Sequence, residues 1–140
     1  MPQIIIGNRG LTLSGLISLL QNCDPSKTLW VGPGYLAPTK EWNPRRFDYM
    51  IQLEFGCTDW DHNKDLRPKK KDLVPEITVG EYLEWLGTIP GQRRELWKGG
   101  DYVAALDSEV CVGLFGEVPM DVVGVHEGRY GDVTLVLVRL

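Results

Sequence analysis

Cys57, Asp59, Asp61 and His62 put a thiol, two carboxylates and an imidazole within six residues. A zinc site needs such donors paired at short, repeated spacing, and His62 and His126 are the only histidines. The stretch therefore reads as polar loop, and neither a metal nor a cofactor is expected. Hydrolysis would need paired acids. Asp59 with Asp61, and Glu117 with Asp121, are the nearest candidates, but acidic pairs on loops are commonly just solvated. There is no G-x-S-x-G elbow, and Ser14, Ser18, Ser26 and Ser108 lack a histidine nearby in sequence. A Cys–His pair assembled only in space leaves no trace in a sequence. No catalytic residue is assigned, and the chain is read as a non-enzyme.

A repeated phrase is more informative. Residues 28–35 read TLWVGPGY and residues 95–102 read ELWKGGDY. Each has Leu-Trp, then glycines, then a Tyr five residues after the Trp. Neither fits a P-loop or a dinucleotide fingerprint. Yet Gly lets backbone amides approach a ligand closely, Trp or Tyr offers a flat face for a base, and cations neutralise phosphate. The second phrase supplies Trp97, Lys98, Gly99, Gly100, Asp101 and Tyr102. The proline-rich stretch 32–46 adds Trp42, Arg45 and Arg46, and Arg93 and Arg94 lie just upstream of the second phrase. In this reading Trp97, Tyr102 or Trp42 stacks a base, and Lys98, Arg45 and Arg46 meet phosphates. The Gly99-Gly100 backbone approaches the ligand, and Asp101 accepts from ribose hydroxyls. The competing reading packs these aromatics into the core around a tight turn. The basic run RPKKK, residues 67–71, reads as a solvated stretch.

Two helices should position the phrases. Leu13, Leu16, Ile17 and Leu20 share one face of the first, and Val79, Tyr82, Leu83 and Leu86 share one face of the second. Thr12 and Thr78 are the expected N-caps, offset by 78−12 = 66, and Thr78 with Glu81 fits a capping box. Gly87 is expected to stop the second helix at positive φ, with Asn22 doing so for the first. Trp30 and Trp97 are offset by 97−30 = 67, as are the two tyrosines. The chain therefore reads as a duplicated unit of capped helix, loop, short strand ending in Trp, Gly-rich turn and Tyr. Strands are expected at 47–55, 109–115, 119–125 and 131–140, with 126–131 as a hairpin loop. The last strand is apolar on both faces, as for one inside a covered sheet. Residues 32–46 read as irregular, and 56–76 as a long polar surface loop. The expected fold is α+β: one pseudo-duplicated domain over 1–140, with an antiparallel or mixed sheet and two short amphipathic helices. The pseudo-repeats span 11–55 and 77–140.

Composition narrows the setting. The chain has 140 residues, 43% hydrophobic and 24% charged, an ordinary globular mix. Its net charge of −4 argues against general attraction to nucleic acid or an anionic membrane. The odd cysteine count (Cys23, Cys57 and Cys111) does not suit a disulfide framework. No apolar run approaches the ~20 residues a membrane span needs, and the start of the chain lacks a signal-peptide pattern. A reduced, cytoplasmic protein is expected.

The segment 76–140 resembles small accessory proteins of phage and prophage genomes. These pair a T-V-x-x-L-L helix with a K-G-G-[ED]-Y turn, a D-x-x-V strand and a closing G-D-x-V-x-L strand. Thr78, Lys98, Gly99, Gly100, Asp101, Tyr102, Asp107, Val110, Gly116 and Asp132 carry the match. The first half departs, with Val31 and Pro33 where the pattern has Lys and Gly. The resemblance implies an anti-defence protein acting in the host cytoplasm, sponge-like and homo-oligomeric. Its expected partner is a nucleotide-derived signal, such as an ADP-ribose derivative or cyclic nucleotide, held without cleavage. The alternative is an inhibitor that binds a host defence protein through the 56–76 loop. A weaker rival is a phosphodiesterase using Asp59, Asp61 or His62.

Overall fold

Two threonines open the two helices. Thr12 and Thr78 hold extended backbone, and each hydroxyl oxygen accepts the N–H three residues on, from Gly15 and Glu81, at 3.1 Å. Each cap satisfies one of the amides a helix start leaves free. The helices run Leu13–Gln21 (α1) and Val79–Leu86 (α2). Leu13, Leu16 and Leu20 of α1, and Val79, Tyr82 and Leu86 of α2, are buried, with Ile17 and Leu83 packed at the margin. Neither helix ends at positive φ. Gly87 sits at φ −65 and Asn22 at φ −82. Each chain end instead tightens into three-residue turns, Cys23 N–H to Leu20 O and Ile89 N–H to Leu86 O. The left-handed step after α2 is deferred to Gly91, at φ +87.

The computed structural model describes residues 3–6, 10–31, 36–45, 49–59, 73–113, 120–128 and 132–139. The strands are β1 (Gln3–Ile6), β2 (Thr28–Trp30), β3 (Leu36–Pro44), β4 (Ile51–Cys57), β5 (Arg93–Glu95), β6 (Asp101–Val103), β7 (Val110–Gly113), β8 (Met120–Glu127) and β9 (Asp132–Arg139). The main sheet is mixed and runs β2-β9-β8-β7-β4-β3, with β1 also paired to β8. β5 and β6 form a separate antiparallel ladder. The pairs β2/β9 and β4/β7 are parallel, while β3/β4 and β8/β9 are antiparallel. Val31 N–H donates to Leu36 O at 2.7 Å, so the two ends of the strand order meet and the sheet rolls towards a barrel. The architecture is α+β, and no helix among the described residues is long and apolar enough to cross a membrane.

The strand pairing is two-fold. β2, β3 and β4 correspond to β7, β8 and β9, because β2/β9 mirrors β7/β4 and β3/β4 mirrors β8/β9. In the parallel ladders Leu29 faces Val133 and Val110 faces Ile51, and all four are fully buried. Burying each such side chain is worth about 1.5–3 kcal/mol. The two helices cover this core with Leu13, Leu16, Leu20, Val79, Tyr82 and Leu86.

Several sequence expectations are corrected. Residues 36–44, read as irregular, form the nine-residue strand β3. Its prolines Pro38 and Pro44 are tolerated because β3 has a ladder on one side only, with β4, and beyond Leu36 no described strand pairs its other side. A register shift between Pro38 and Trp42 absorbs the remaining misfit. The strand expected from residue 47 begins at Ile51, since Tyr49 takes φ 54 and interrupts extension. Gly56 and Cys57, read as loop, belong to β4. His126 and Glu127, read as hairpin loop, lengthen β8. Over Asp132 to Leu135, β9 alternates between partly and fully buried. Residues 47–48, 114–115, 119, 131 and 140 of the expected strands lie outside the described residues.

The two Trp phrases also differ in place. Trp30 ends β2 inside the main sheet, whereas β5 stops at Glu95 and Trp97 lies in the turn beyond it. Tyr35 and its preceding glycines lie outside the described residues.

Candidate functional site

β5 and β6 form a hairpin whose turn is built from glycine. Leu96 N–H donates to Gly100 O, and Gly99 N–H donates to Leu96 O, both at 2.9 Å. Gly99 and Gly100 take φ +93 and +81, a region that costs other residues strain. A Cβ at either would meet nothing within 4 Å. Glycine is required at both by backbone conformation, and the space beside them is open. Trp97, Lys98 and Asp101 are exposed around this turn, and the Lys98 ammonium lies 5.3 Å from the Trp97 ring centroid.

The hairpin leans on the end of β3 and β4. Trp42 Nε1–H donates to Gln92 Oε1 at 2.9 Å, and the Arg94 guanidinium lies 4.3 Å above the Trp42 ring. Arg94 is held there by two further bonds, to Arg93 O and to Gln92 Oε1. The Tyr102 ring meets Trp42 edge-on at 6.1 Å and stacks with Tyr49 at 6.4 Å. Tyr49 is exposed and left-handed, and its N–H donates to Arg45 O while Arg45 N–H donates to Met50 O. These bonds close the β3–β4 connection beneath the hairpin.

Between the two lies a groove of about 460 Å³, walled by Asn43, Pro44, Glu95, Leu96 and Trp97. Trp97 is 58% exposed, so its ring is a wall rather than a core side chain. Glu95 pairs with Asp101 across the ladder, placing two carboxylates at one end of this region. A second hollow of about 370 Å³, beside Pro38, Lys40 and Ile77, holds none of the predicted site residues among the described ones.

The predicted residues therefore separate. Trp97, Lys98, Gly99, Gly100 and Asp101 cluster at the hairpin turn. Tyr102 stands behind them with its ring engaged by Trp42 and Tyr49. Trp42 does not fit the stacking role assigned to it: it is 2% exposed, with Arg94 on its face and Tyr102 at its edge. Arg45 sits at the base of the β3–β4 connection, where its backbone closes the turn. Arg46, Asp61 and His62 lie outside the described residues. Sequence reasoning missed Asn43, Pro44, Glu95 and Leu96 as groove walls. Glu95 and Leu96 stand out in the sequence only as letters of the phrase, and nothing local marks Asn43 and Pro44. It also missed Tyr49 and the Arg94–Trp42 contact, whose partners are 94−42 = 52 residues apart.

Away from the groove, burial pushes the Cys23 thiol up to about 11, with Glu127 adding to the effect. Burial also raises Cys57. Glu127 is opposed by its own desolvation, yet hydrogen bonds from Asp24 N–H and Lys27 hold it below the usual carboxylate value. These groups belong to the barrel and its helices. Comparison of the chain with family models, curated proteins and solved structures yields no match.

Proposed function

We propose that this protein binds a nucleotide-derived signalling molecule, an ADP-ribose derivative or a cyclic nucleotide, in the Trp97 groove and holds it without cleavage. The observation that carries this reading is a large aromatic ring, more than half exposed, lining a groove of about 460 Å³. Cavities of roughly 300–1,000 Å³ suit small ligands. The base stacks on Trp97. The Glu95 and Asp101 carboxylates repel phosphate but accept hydrogen bonds from ribose hydroxyls, so the sugar lies at that end. The phosphate then lies towards Lys98, and the open Gly99-Gly100 backbone allows close approach. Among the described groove walls Glu95 is the one carboxylate, with Asp101 beside it across the ladder. The phage and anti-defence setting and the homo-oligomer rest on the resemblance of residues 76–140, and the cytoplasmic location on the composition and cysteine usage.

A second reading, an inhibitor binding a host defence protein, draws on Tyr49, Trp97, Val103 and Leu106. These exposed large apolar side chains lie in or near the hairpin and are of the kind that interfaces use. Native mass spectrometry after incubation with ADP-ribose or cyclic AMP, followed by heat release, tests the first reading. Stoichiometric adducts and intact released nucleotide are expected. Absence of any adduct with both probes, or release of a cleaved product, overturns it.

A further inference from the structure

The backbone hydrogen bonds around the helices occur in matched pairs. Leu13 N–H donates to Ser108 O, and Val79 N–H donates to Lys27 O. Val110 N–H donates to Leu11 O, and Leu29 N–H donates to Ile77 O. Ser14 N–H donates to Leu106 O, and Gly80 N–H donates to Pro25 O. Each half thus lends the segment entering its sheet to the helix start of the other half. The turn from Lys27 N–H to Asp24 O has its counterpart from Ser108 N–H to Ala105 O.

The numbers locate a break in this symmetry. Helix starts and helix ends are offset by 66 (79−13, and 89−23 for the turns at Cys23 and Ile89). From the next residue on, the offset is 81 (105−24, 108−27 and 110−29). The difference, 81−66 = 15, is the length of residues 90–104, which have no counterpart between Cys23 and Asp24. That segment is the β5–β6 hairpin. Its base is pinned by Gly91 N–H to Ala104 O at 2.8 Å and Ala104 N–H to Gln92 O at 3.0 Å. Within it only Ala104 is buried, and its link to the core is Tyr102 and Arg94 lying on Trp42. Yet it supplies Glu95, Leu96 and Trp97, the greater part of the described groove walls.

We infer that residues 90–104 are a recognition hairpin inserted into one half of a two-fold barrel, a unit that the barrel does not need for folding and that creates the ligand site. The chemistry of the ligand rests on the function proposed above; the insertion does not. The hairpin is joined to the barrel through Gln92, Arg94 and Tyr102 packed on Trp42, so its opening uncovers Trp42 and leaves the Leu29–Val133 and Ile51–Val110 pairs in place. Local opening of this kind is read by amide exchange.

Native-state hydrogen exchange on the full chain tests the inference, with and without ADP-ribose. The amides of Leu96, Gly99 and Ala104 are expected to be less protected than those of Leu29 and Val110 by on the order of 100-fold. ADP-ribose is expected to raise hairpin protection at least about tenfold while leaving the barrel unchanged. A variant lacking residues 90–104, with Ile89 joined to Ala105 as Cys23 is joined to Asp24, is expected to unfold cooperatively and to bind no ADP-ribose. Equal protection of hairpin and barrel overturns the inference, whatever the ligand does. Separate exchange with no response to ADP-ribose or cyclic AMP overturns the proposed function and leaves the insertion standing.

Discussion

Leu29 and Leu96 precede Trp30 and Trp97 in near-identical phrases, and they live in different surroundings. Leu29 sits in β2, fully buried, with Val133 as its parallel partner. Leu96 sits at the hairpin turn, partly exposed, as one wall of the groove. The backbone counterpart of Leu29 is Val110, 110−29 = 81 residues on, not Leu96. Thr28 to Trp30 of the first phrase are part of the barrel as β2, whereas the second phrase belongs to an element that only one half possesses. Glycine and tryptophan there serve a free surface instead of a core.

The largest test of this contrast is truncation of the two leucines. Leu29→Ala is expected to cost about 2–5 kcal/mol, from lost burial and the cavity left behind. Leu96→Ala is expected to cost no more than about 1 kcal/mol, since its surface is already partly wet. Urea unfolding of both variants reads the difference, and similar losses would place both phrases in one core. Next in size is the cap of α2. Thr78→Ala removes the acceptor for Glu81 N–H and is expected to lower stability by about 1 kcal/mol. Because this cap lies in the barrel, groove binding should be unaffected.

The helices, their caps and their buried faces are legible in the sequence because those signals are local: a threonine, then apolar residues at helical spacing. β3 is not, because its two prolines imitate a loop and are tolerated only at the end of the strand order. The insertion is hidden for a different reason. The twin phrases are 67 apart, close enough to the 66 of the helix caps to pass for loop variation, while the true offset of 81 lies in backbone bonds between dissimilar letters. Trp42 shows the same gap. Its burial depends on Arg94 and Tyr102, which are distant in sequence and fixed only by the docked hairpin.

A smaller effect separates barrel from hairpin by pH. Cys23 has its thiol raised from 9.0 to about 11, mainly by burial. A raised folded value means that the neutral thiol is favoured in the fold. The contribution is complete below pH 9.0 and is lost as the pH climbs through about 11. Urea midpoints measured across that window should fall, and Cys23→Ser should lessen the fall. A decline of the same size in Cys23→Ser would assign it to other groups. Hairpin amide exchange, corrected for its intrinsic pH dependence, should not follow the Cys23 titration.

The smallest expected change in stability comes with the most direct test. Trp97→Ala removes a ring that is 58% exposed, so unfolding should shift by no more than about 0.5 kcal/mol. Calorimetric titration of this variant with the nucleotide bound by the unaltered chain should show affinity reduced at least about tenfold, about 1.4 kcal/mol. Unchanged affinity in a folded Trp97→Ala variant would contradict the account, as would loss of the fold itself.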